Sequence, residues 1–273
     1  MTGALLEAKD ITVTFGDRLA AFDAVQAATV GVAAGDAIGI VGESGSGKTT
    51  LARVLVGLQP PRTGEVLLEG KRVFGAGQKT TFPRGERWKV QMIFQDPYSS
   101  LNPRMRAWQG VAEAVQVWRD VSAKEARAQA FQLLNSVGIS SEQAEHFPRS
   151  LSGGQLQRVS VARALAPNPK VLIADEPTSS IDQSAQAQLL NLLRRLQQER
   201  ALTIVFISHD LGLIRYLTSR VYVMQKGKIV EWGDTPHVFD QPEHPYTQLL
   251  IASIPGRKTS IARPPVGEDL RDG

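Results

Sequence analysis

Three groups of residues have the types and the spacing to do phosphate chemistry. The first is Gly42-Glu43-Ser44-Gly45-Ser46-Gly47-Lys48-Thr49, which matches G-x-x-x-x-G-K-[ST] and runs on into Thr50. Phosphate oxygens need a concave ring of backbone N–H groups, so the bend must be tight and largely free of Cβ atoms. A helix N-terminus behind the bend adds favourable dipole charge. In such a loop Lys48 reaches the β and γ phosphates and the Thr49 hydroxyl ligates Mg²⁺. The second group is Asp175-Glu176, delivered by the apolar run of residues 171–174. A buried strand of an open parallel sheet ends at a ligand crevice, and two adjacent acids there divide two tasks. Asp175 acts on Mg²⁺ through its water shell, and Glu176 orients and polarises the water that attacks the γ-phosphate. The third group is Ser152-Gly153-Gly154-Gln155, whose glycines open a helix and offer a second set of free N–H groups to an anion.

The elements that must position these groups follow from periodicity. DAIGIVG, before the loop, is a short Ile/Val run, and TTLARVLVGL after it sets Leu51, Val54, Leu55 and Leu58 at helical spacing, so the glycines form a strand-to-helix turn. Strands are expected at DITVTF, around TVGV, in WKVQMIFQDP before a polar loop, and in KVLIAD, LTIVFIS and VYVMQKGKIV; GEVLLEGKRV reads as a hairpin turned at Glu69-Gly70. From Trp108 to about Val137 the pattern is helical, with SAKEARAQAFQLLNSVG starting at a Ser122 cap and stopping at Gly138, and SGGQLQRVSVARALAPNP is a helix stopped by Pro167. Strands separated by helices predict the α/β class, a P-loop nucleotide-binding core with a mixed sheet, plus a helical lobe and a short C-terminal extension. The expected division is 1–98 and 163–235 for the core lobe, 99–162 for the helical lobe and 236–273 for the extension, whose polar tail after Pro255 is expected to be loosely ordered.

Whole-chain properties limit the partners. The 273 residues are 42% hydrophobic and 21% charged, an ordinary globular composition with enough chain for a large core. Lys plus Arg exceed Asp plus Glu by 31 − 27 = 4, and the basic residues are scattered, which does not indicate a nucleic-acid surface. The absence of cysteine excludes disulfides, thiolate metal sites and cluster ligation within the chain. MTGALLEAKDITV sets Glu7 and Asp10 where a signal peptide is apolar, and no apolar run approaches the length of a membrane span, so membrane work is expected to pass through a partner.

Taken together and in order, residues 42–49, Gln95 in MIFQDPYSSLNP, LSGGQ, VLIADEPTSSID and His209 in ISHD resemble the ATP-binding subunit of ABC transporters, over nearly the whole chain from Leu6 to about Pro255. The resemblance implies that Gln95 touches Mg²⁺ and the attacking water at the hinge to the helical lobe, that His209 contacts the γ-phosphate, and that Asp182 lies in a loop crossing a dimer interface. Ser180-Ile181 stands where the family often has Ala-Leu. Phe15, in VTFGD, occupies the place of the aromatic that stacks on adenine, with Phe22 as the rival. It also implies a head-to-tail dimer in which each ATP lies between the phosphate loop of one subunit and the LSGGQ of the other. Hydrolysis opens the dimer, and membrane partners feel the opening through a helix docked near residues 95–106.

The segment GDTPHVFDQPEHPYTQLLIASIP, with His244-Pro245-Tyr246-Thr247, resembles the C-terminal extension of the oligopeptide, dipeptide and nickel import group, and QDPYSSLNPR is typical there as well. As structure, His244-Pro245-Tyr246 reads as a turn before the short amphipathic helix YTQLLIAS, with His244 not a metal ligand. Some first-type ATPases of that group hold an iron–sulfur cluster on cysteines; this cysteine-free chain resembles the second ATPase of a heterodimeric pair, or one that forms a homodimer. The implied partners are a second ATPase subunit, two integral-membrane permease subunits and an extracytoplasmic solute-binding protein, with the chain peripheral on the cytoplasmic face of the inner membrane. The solute the resemblance implies first is a di- or oligopeptide, with nickel or a metal chelate as the alternative. A soluble ABC ATPase acting on nucleic acid is the competing class, though such chains carry paired cassettes, zinc cysteines or a long coiled coil. A P-loop kinase would not need LSGGQ or Asp182.

Overall fold

The computed structural model of the chain describes residues 3–16, 20–77, 82–179 and 181–254. Two long strands come first, β1 (Ala4–Phe15) and β2 (Phe22–Ala33), then β3 (Ala37–Val41) and helix α1 (Lys48–Leu55). A hairpin, β4 (Thr63–Leu68) and β5 (Lys71–Gly75), leads to β6 (Val90–Ile93). Helices fill the next stretch: α2 (Pro97–Ser100), α3 (Ala107–Trp118), α4 (Ala123–Ser136), α5 (Ser141–Ala144) and α6 (Gly153–Leu165). Strand and helix then alternate through β7 (Val171–Asp175), α7 (Gln183–Arg200), β8 (Thr203–Ser208), α8 (Leu211–Leu217) and β9 (Arg220–Gln225). The described chain closes with β10 (Lys228–Asp234), α9 (Thr235–Asp240) and α10 (Pro245–Ala252).

These strands make two sheets. The larger runs β10-β9-β3-β8-β7-β6, parallel from β9 to β6 with β10 antiparallel at one edge; the smaller, β2-β1-β4-β5, is antiparallel. Side chains along the parallel strands alternate between two cores. Ile38, Ile40, Ile173, Val205, Ile207, Tyr222 and Met224 share one with Ile11, Val66 and α1's Leu51, between the two sheets. Val41, Leu172, Ala174, Ile204, Phe206 and Val221 share the other with Val111, Leu134, Leu156, Leu193 and Ile214 of the helices. Both faces of the large sheet are therefore covered, which is why its strands read as unbroken apolar runs rather than as alternation with polar residues.

The mixed α/β architecture is the expected one, with local differences. DITVTF is the second half of a strand that begins at Ala4, and the strand in WKVQMIFQDP is only four residues long. VYVMQKGKIV is two strands, not one, because Lys226 (φ 45°) and Gly227 (φ 85°) turn the chain back on itself as a two-residue hairpin. The hairpin at Glu69 (φ 54°) and Gly70 (φ 74°) forms as read. There the Glu69 carboxylate accepts from Lys170 and Lys89, which hold its pKa down to about 2 and tie the small sheet to the starts of β7 and β6. Helix α4 starts in a reciprocal capping box: Glu125 N–H donates to Ser122 Oγ (3.3 Å) and Ser122 N–H to Glu125 Oε2 (2.9 Å). Ser180 and the tail beyond Ile254 lie outside the described residues. Among those residues no helix is long and apolar enough to cross a membrane.

Gly39, in the middle of β3, lets α8 lie directly on the sheet: a Cβ there would overlap Ile214 Cγ2 and meet Thr218 Oγ1 at 3.4 Å. Overpacking of this kind costs about 1–3 kcal/mol, so Gly39→Ala should lower the unfolding free energy by that much, read as a lower denaturant midpoint at unchanged slope. An unchanged midpoint would mean that α8 rides less tightly on β3 than these contacts imply.

Candidate active site

Register decides what stands at the carboxyl edge of the large sheet. Val41 of β3 pairs with Ser208 of β8, Asp175 of β7 with Ile207 of β8, and Ile93 of β6 with Ala174 of β7. The residues just beyond these ends are Gly42, His209, Glu176 and, two past β6, Gln95. Four separate segments thus meet at the edge where an open parallel sheet places its ligand crevice.

Residues 42–47 join β3 to α1 as the strand-to-helix turn that the sequence predicts. Gly42 (φ 154°) and Gly47 (φ 104°) adopt backbone conformations that L side chains rarely take, and a Cβ on either would overlap a main-chain oxygen, that of Met224 or of Ala24. Ser44 and Gly45 are exposed at the bend, while Ser46 is buried. Gly47 provides no side-chain cap for α1, so no side chain covers the N–H groups of the first turn, which carries Thr49 and Thr50. Lys48 is 4% exposed, and its ammonium donates to the carbonyl oxygens of Gly42 (2.8 Å) and Glu43 (2.7 Å). Burial pushes its pKa below the ordinary lysine value, while the carboxylates of Glu176, Asp175 and Glu43 oppose that shift. A buried cation resting on neutral carbonyls is a site to which a polyanion brings the missing counter-charge.

The two acids behave differently although they are adjacent. Asp175, 2% exposed, ends β7 and accepts from the Thr49 hydroxyl at 3.1 Å. Burial raises its pKa; the Thr49 hydrogen bond opposes the rise, and the Glu176 charge adds to it. Glu176 turns away because its backbone is left-handed (φ 43°), an uncommon state for a residue other than glycine and one that costs of order 1–3 kcal/mol unless the surroundings hold it. Its N–H still donates to Ile207 O (2.9 Å), closing the β7–β8 ladder. Oε2 of Glu176 then meets both Gln95 Nε2 and His209 Nδ1, each at 3.3 Å. The Thr49 hydroxyl and the buried Asp175 carboxylate are hard oxygen donors side by side and fit a small divalent cation. Among the described residues no three His, Cys, Asp or Glu side chains form a metal cage, and Mg²⁺ characteristically takes one or two carboxylates plus phosphate and water.

The remaining predicted residues form a second cluster. Ser152 caps α6 in a reciprocal box with Gln155: Gln155 N–H donates to Ser152 Oγ (3.3 Å) and Ser152 N–H to Gln155 Oε1 (2.8 Å). Gly153 and Gly154 are the first residues of that helix, and Gly154 lies against Ala185 of α7, with no room for a Cβ. Asp182 caps α7 by accepting from the same Ala185's N–H (2.9 Å). These hydrogen bonds stay within the cluster and do not reach the phosphate loop. Phe15 is half-buried on the small-sheet core, paired with Phe22 (ring centroids 5.9 Å apart), which is 60% exposed. One contact at the loop has no signal in the sequence: Glu43 N–H donates to Tyr246 Oη at 3.0 Å across 203 residues.

Residues 25–179 match the profile of the ABC transporter family, and residues 230–266 match the C-terminal region of oligopeptide/dipeptide transporters. The chain is 41% identical over 256 residues to the oligopeptide transport ATP-binding protein OppF of Streptococcus pyogenes serotype M1, covering 93% of this chain and 83% of that protein. It is 44% identical over 270 residues to a probable peptide ABC transporter ATP-binding protein of Sinorhizobium fredii, covering 96% of this chain and 76% of that one. Among solved structures, an ATP-binding cassette described as a dimeric post-hydrolysis state bound to ADP and Pi superposes with a TM-score of 0.74 at 28% identity, over 84% of this chain and 98% of that one. With this match over more than half its length, and 41% identity to a curated relative over 93% of the chain, the chain belongs to the ABC transporter ATP-binding family.

Proposed function

We propose that this chain is the ATP-hydrolysing subunit of a di- or oligopeptide importer. The observation that carries the reading is the convergence of Lys48, Thr49 with Asp175, and Glu176 with Gln95 and His209 at one crevice. The oligopeptide-type C-terminal region and the names of the relatives support the peptide class over other solutes.

ATP enters with its phosphates in the loop of residues 42–50, and Lys48 exchanges the Gly42 and Glu43 carbonyls for β and γ oxygens. Phe15 stacks on the adenine. Thr49, Asp175 and Gln95 are the residues to hold Mg²⁺, which when bound neutralises charge on the β and γ phosphates. Glu176 orients a water against the γ-phosphorus; as that O–P bond forms, the bond to the β–γ bridging oxygen breaks, leaving ADP and phosphate. His209 leaves Glu176 for the γ-phosphate. Ser152, Gly153, Gly154 and Gln155 act on the nucleotide of a second ATPase subunit, with Asp182 at the shared interface. The dimeric state of that similar cassette supports pairing with a second ATPase subunit, which we take to be head-to-tail. The working units are 1–98 with 163–235, the 99–162 helical lobe and the 236–273 extension, with α6 passing from the second to the first. Two integral-membrane permeases and an extracytoplasmic solute-binding protein complete the transporter, and the chain sits peripherally on the cytoplasmic face of the membrane.

Three outcomes test this. Glu176→Gln should lower turnover about 10²–10⁴-fold while ATP binding persists; retained turnover would remove Glu176 from the reaction. A tagged chain drawn from solubilised membranes should bring two integral-membrane proteins with it, whereas nucleic acid or ribosomes without them would contradict the transporter. Asp175 supplies a third. Its carboxyl lies above the ordinary 3.8 in the folded chain, so between those values the folded state binds more protons than the unfolded one, and stability from this group falls as pH rises through that interval. Without nucleotide, Asp175→Asn should therefore melt higher than the wild type at neutral pH, with the gap closing in acid, and should lose the added protection that Mg²⁺ gives with ATP. A lower melting temperature at neutral pH would contradict the cost assigned to that buried charge.

A further inference from the structure

We propose that Tyr246 is a positioning residue of the phosphate loop: its hydroxyl, carried by the C-terminal extension, holds the Gly42–Glu43 peptide in the orientation that lets Lys48 serve a nucleotide. The inference rests on the reading of residues 42–50 as the ATP loop.

A single peptide plane is gripped at both ends. Its carbonyl, on Gly42, accepts from the Lys48 ammonium at 2.8 Å, and its N–H, on Glu43, donates to Tyr246 Oη at 3.0 Å. On the Lys48 side the grip is temporary, because the ammonium must leave for phosphate oxygens when ATP enters. The Tyr246 bond is then what holds the plane. Gly42 lacks the Cβ that would lock its side of this plane, since its φ of 154° is one that glycine alone adopts freely. A flipped peptide would turn its N–H towards the Lys48 ammonium and its carbonyl towards the Tyr246 hydroxyl, so the ammonium would meet the positive end of the peptide dipole instead of an acceptor.

The extension is built to keep Tyr246 in place. Glu231 of β10 accepts the N–H groups of Glu243 and His244, both at 3.0 Å, at the entry to α10. Burial works against that carboxylate's charge, but the nearby Thr247 hydroxyl and these two N–H groups more than offset it, so its pKa lies below the ordinary glutamate value. His244 Nδ1 caps α10 by accepting from Tyr246 N–H at 3.2 Å, and Gln248 Nε2 donates to Pro242 O at 3.0 Å. Tyr246 is 7% exposed, and burial pushes its phenol further above the ordinary value, so it stays neutral at physiological pH. Histidine and tyrosine of the His244–Thr247 stretch thus act in sequence: His244 fixes the first turn of α10, and that turn aims the hydroxyl at the loop.

The test uses the full chain and Mg²⁺ with a non-hydrolysable ATP analogue, titrated by calorimetry, alongside ATP turnover in the assembled transporter. Tyr246→Phe keeps the ring and deletes one acceptor; it should weaken the analogue and raise KM for ATP about two- to ten-fold, with kcat at saturation unchanged. Glu231→Gln should shift affinity the same way and add little on top of Tyr246→Phe, since both act through one contact. If Tyr246 only fills space, Phe restores wild-type affinity and KM, and the inference is overturned. Lys48→Ala separates the two levels. Lost analogue binding in Lys48→Ala with wild-type binding in Tyr246→Phe overturns the positioning role alone, and wild-type binding in Lys48→Ala overturns the loop assignment and this inference with it.

Discussion

A buried ammonium group with no fixed counter-ion is the constraint around which the site is arranged. Lys48 is nearly inaccessible, depends on two carbonyl oxygens, and sits near three carboxylates that keep its charge tolerable without forming a hydrogen-bonded ion pair with it. Leaving a charge half-compensated in a low-dielectric setting is unfavourable in the empty protein and becomes favourable when a triphosphate arrives. Asp175 has the opposite need: its buried carboxyl leans on the Thr49 hydroxyl, and on the proposed reading it is the cation accompanying the triphosphate that would relieve it. Each group carries an electrostatic cost in the empty site that its own counter-charge would remove.

The fold makes this arrangement reachable. A parallel sheet covered on both faces aligns the ends of β3, β6, β7 and β8, so that residues from positions 42, 95, 176 and 209 come together without any of them being near in sequence. Its second face carries α6 and α7, and there Ser152 and Asp182 are occupied in capping their own helices, packed together through Gly154 and Ala185. Under the proposed pairing of two ATPase subunits these would be two halves of a site on different elements of one chain; a similar cassette is described as a dimer bound to ADP and Pi.

Much of this could be read from residue types. The phosphate loop, the acids after an apolar run and the Ser122 cap are local signals, in which the spacing contains the geometry. The Glu69-Gly70 hairpin is legible for the same reason. Less legible was VYVMQKGKIV, where apolar residues on both sides of Lys226-Gly227 conceal a hairpin that the Lys-Gly pair alone marks weakly. Asp175 and Glu176 could be assigned different tasks, but not the left-handed turn that separates them, since glutamate does not advertise a positive φ. Nothing local points to the Tyr246 contact, because a hydrogen bond across 203 residues is a product of sheet order and of how α10 is seated by Glu231. The His244–Thr247 stretch is recognisable as a family mark, yet its physical work appears only in three dimensions.

The most direct test is the structure of the chain with Mg²⁺ and a non-hydrolysable ATP analogue. On this account the Lys48 ammonium has left the Gly42 and Glu43 carbonyls for β and γ oxygens, the Thr49 hydroxyl has released Asp175, and Ser152 from a second subunit faces the same γ-phosphate. A nucleotide bound with Lys48 still on its two carbonyls, or held without any contact from a second subunit, would contradict it.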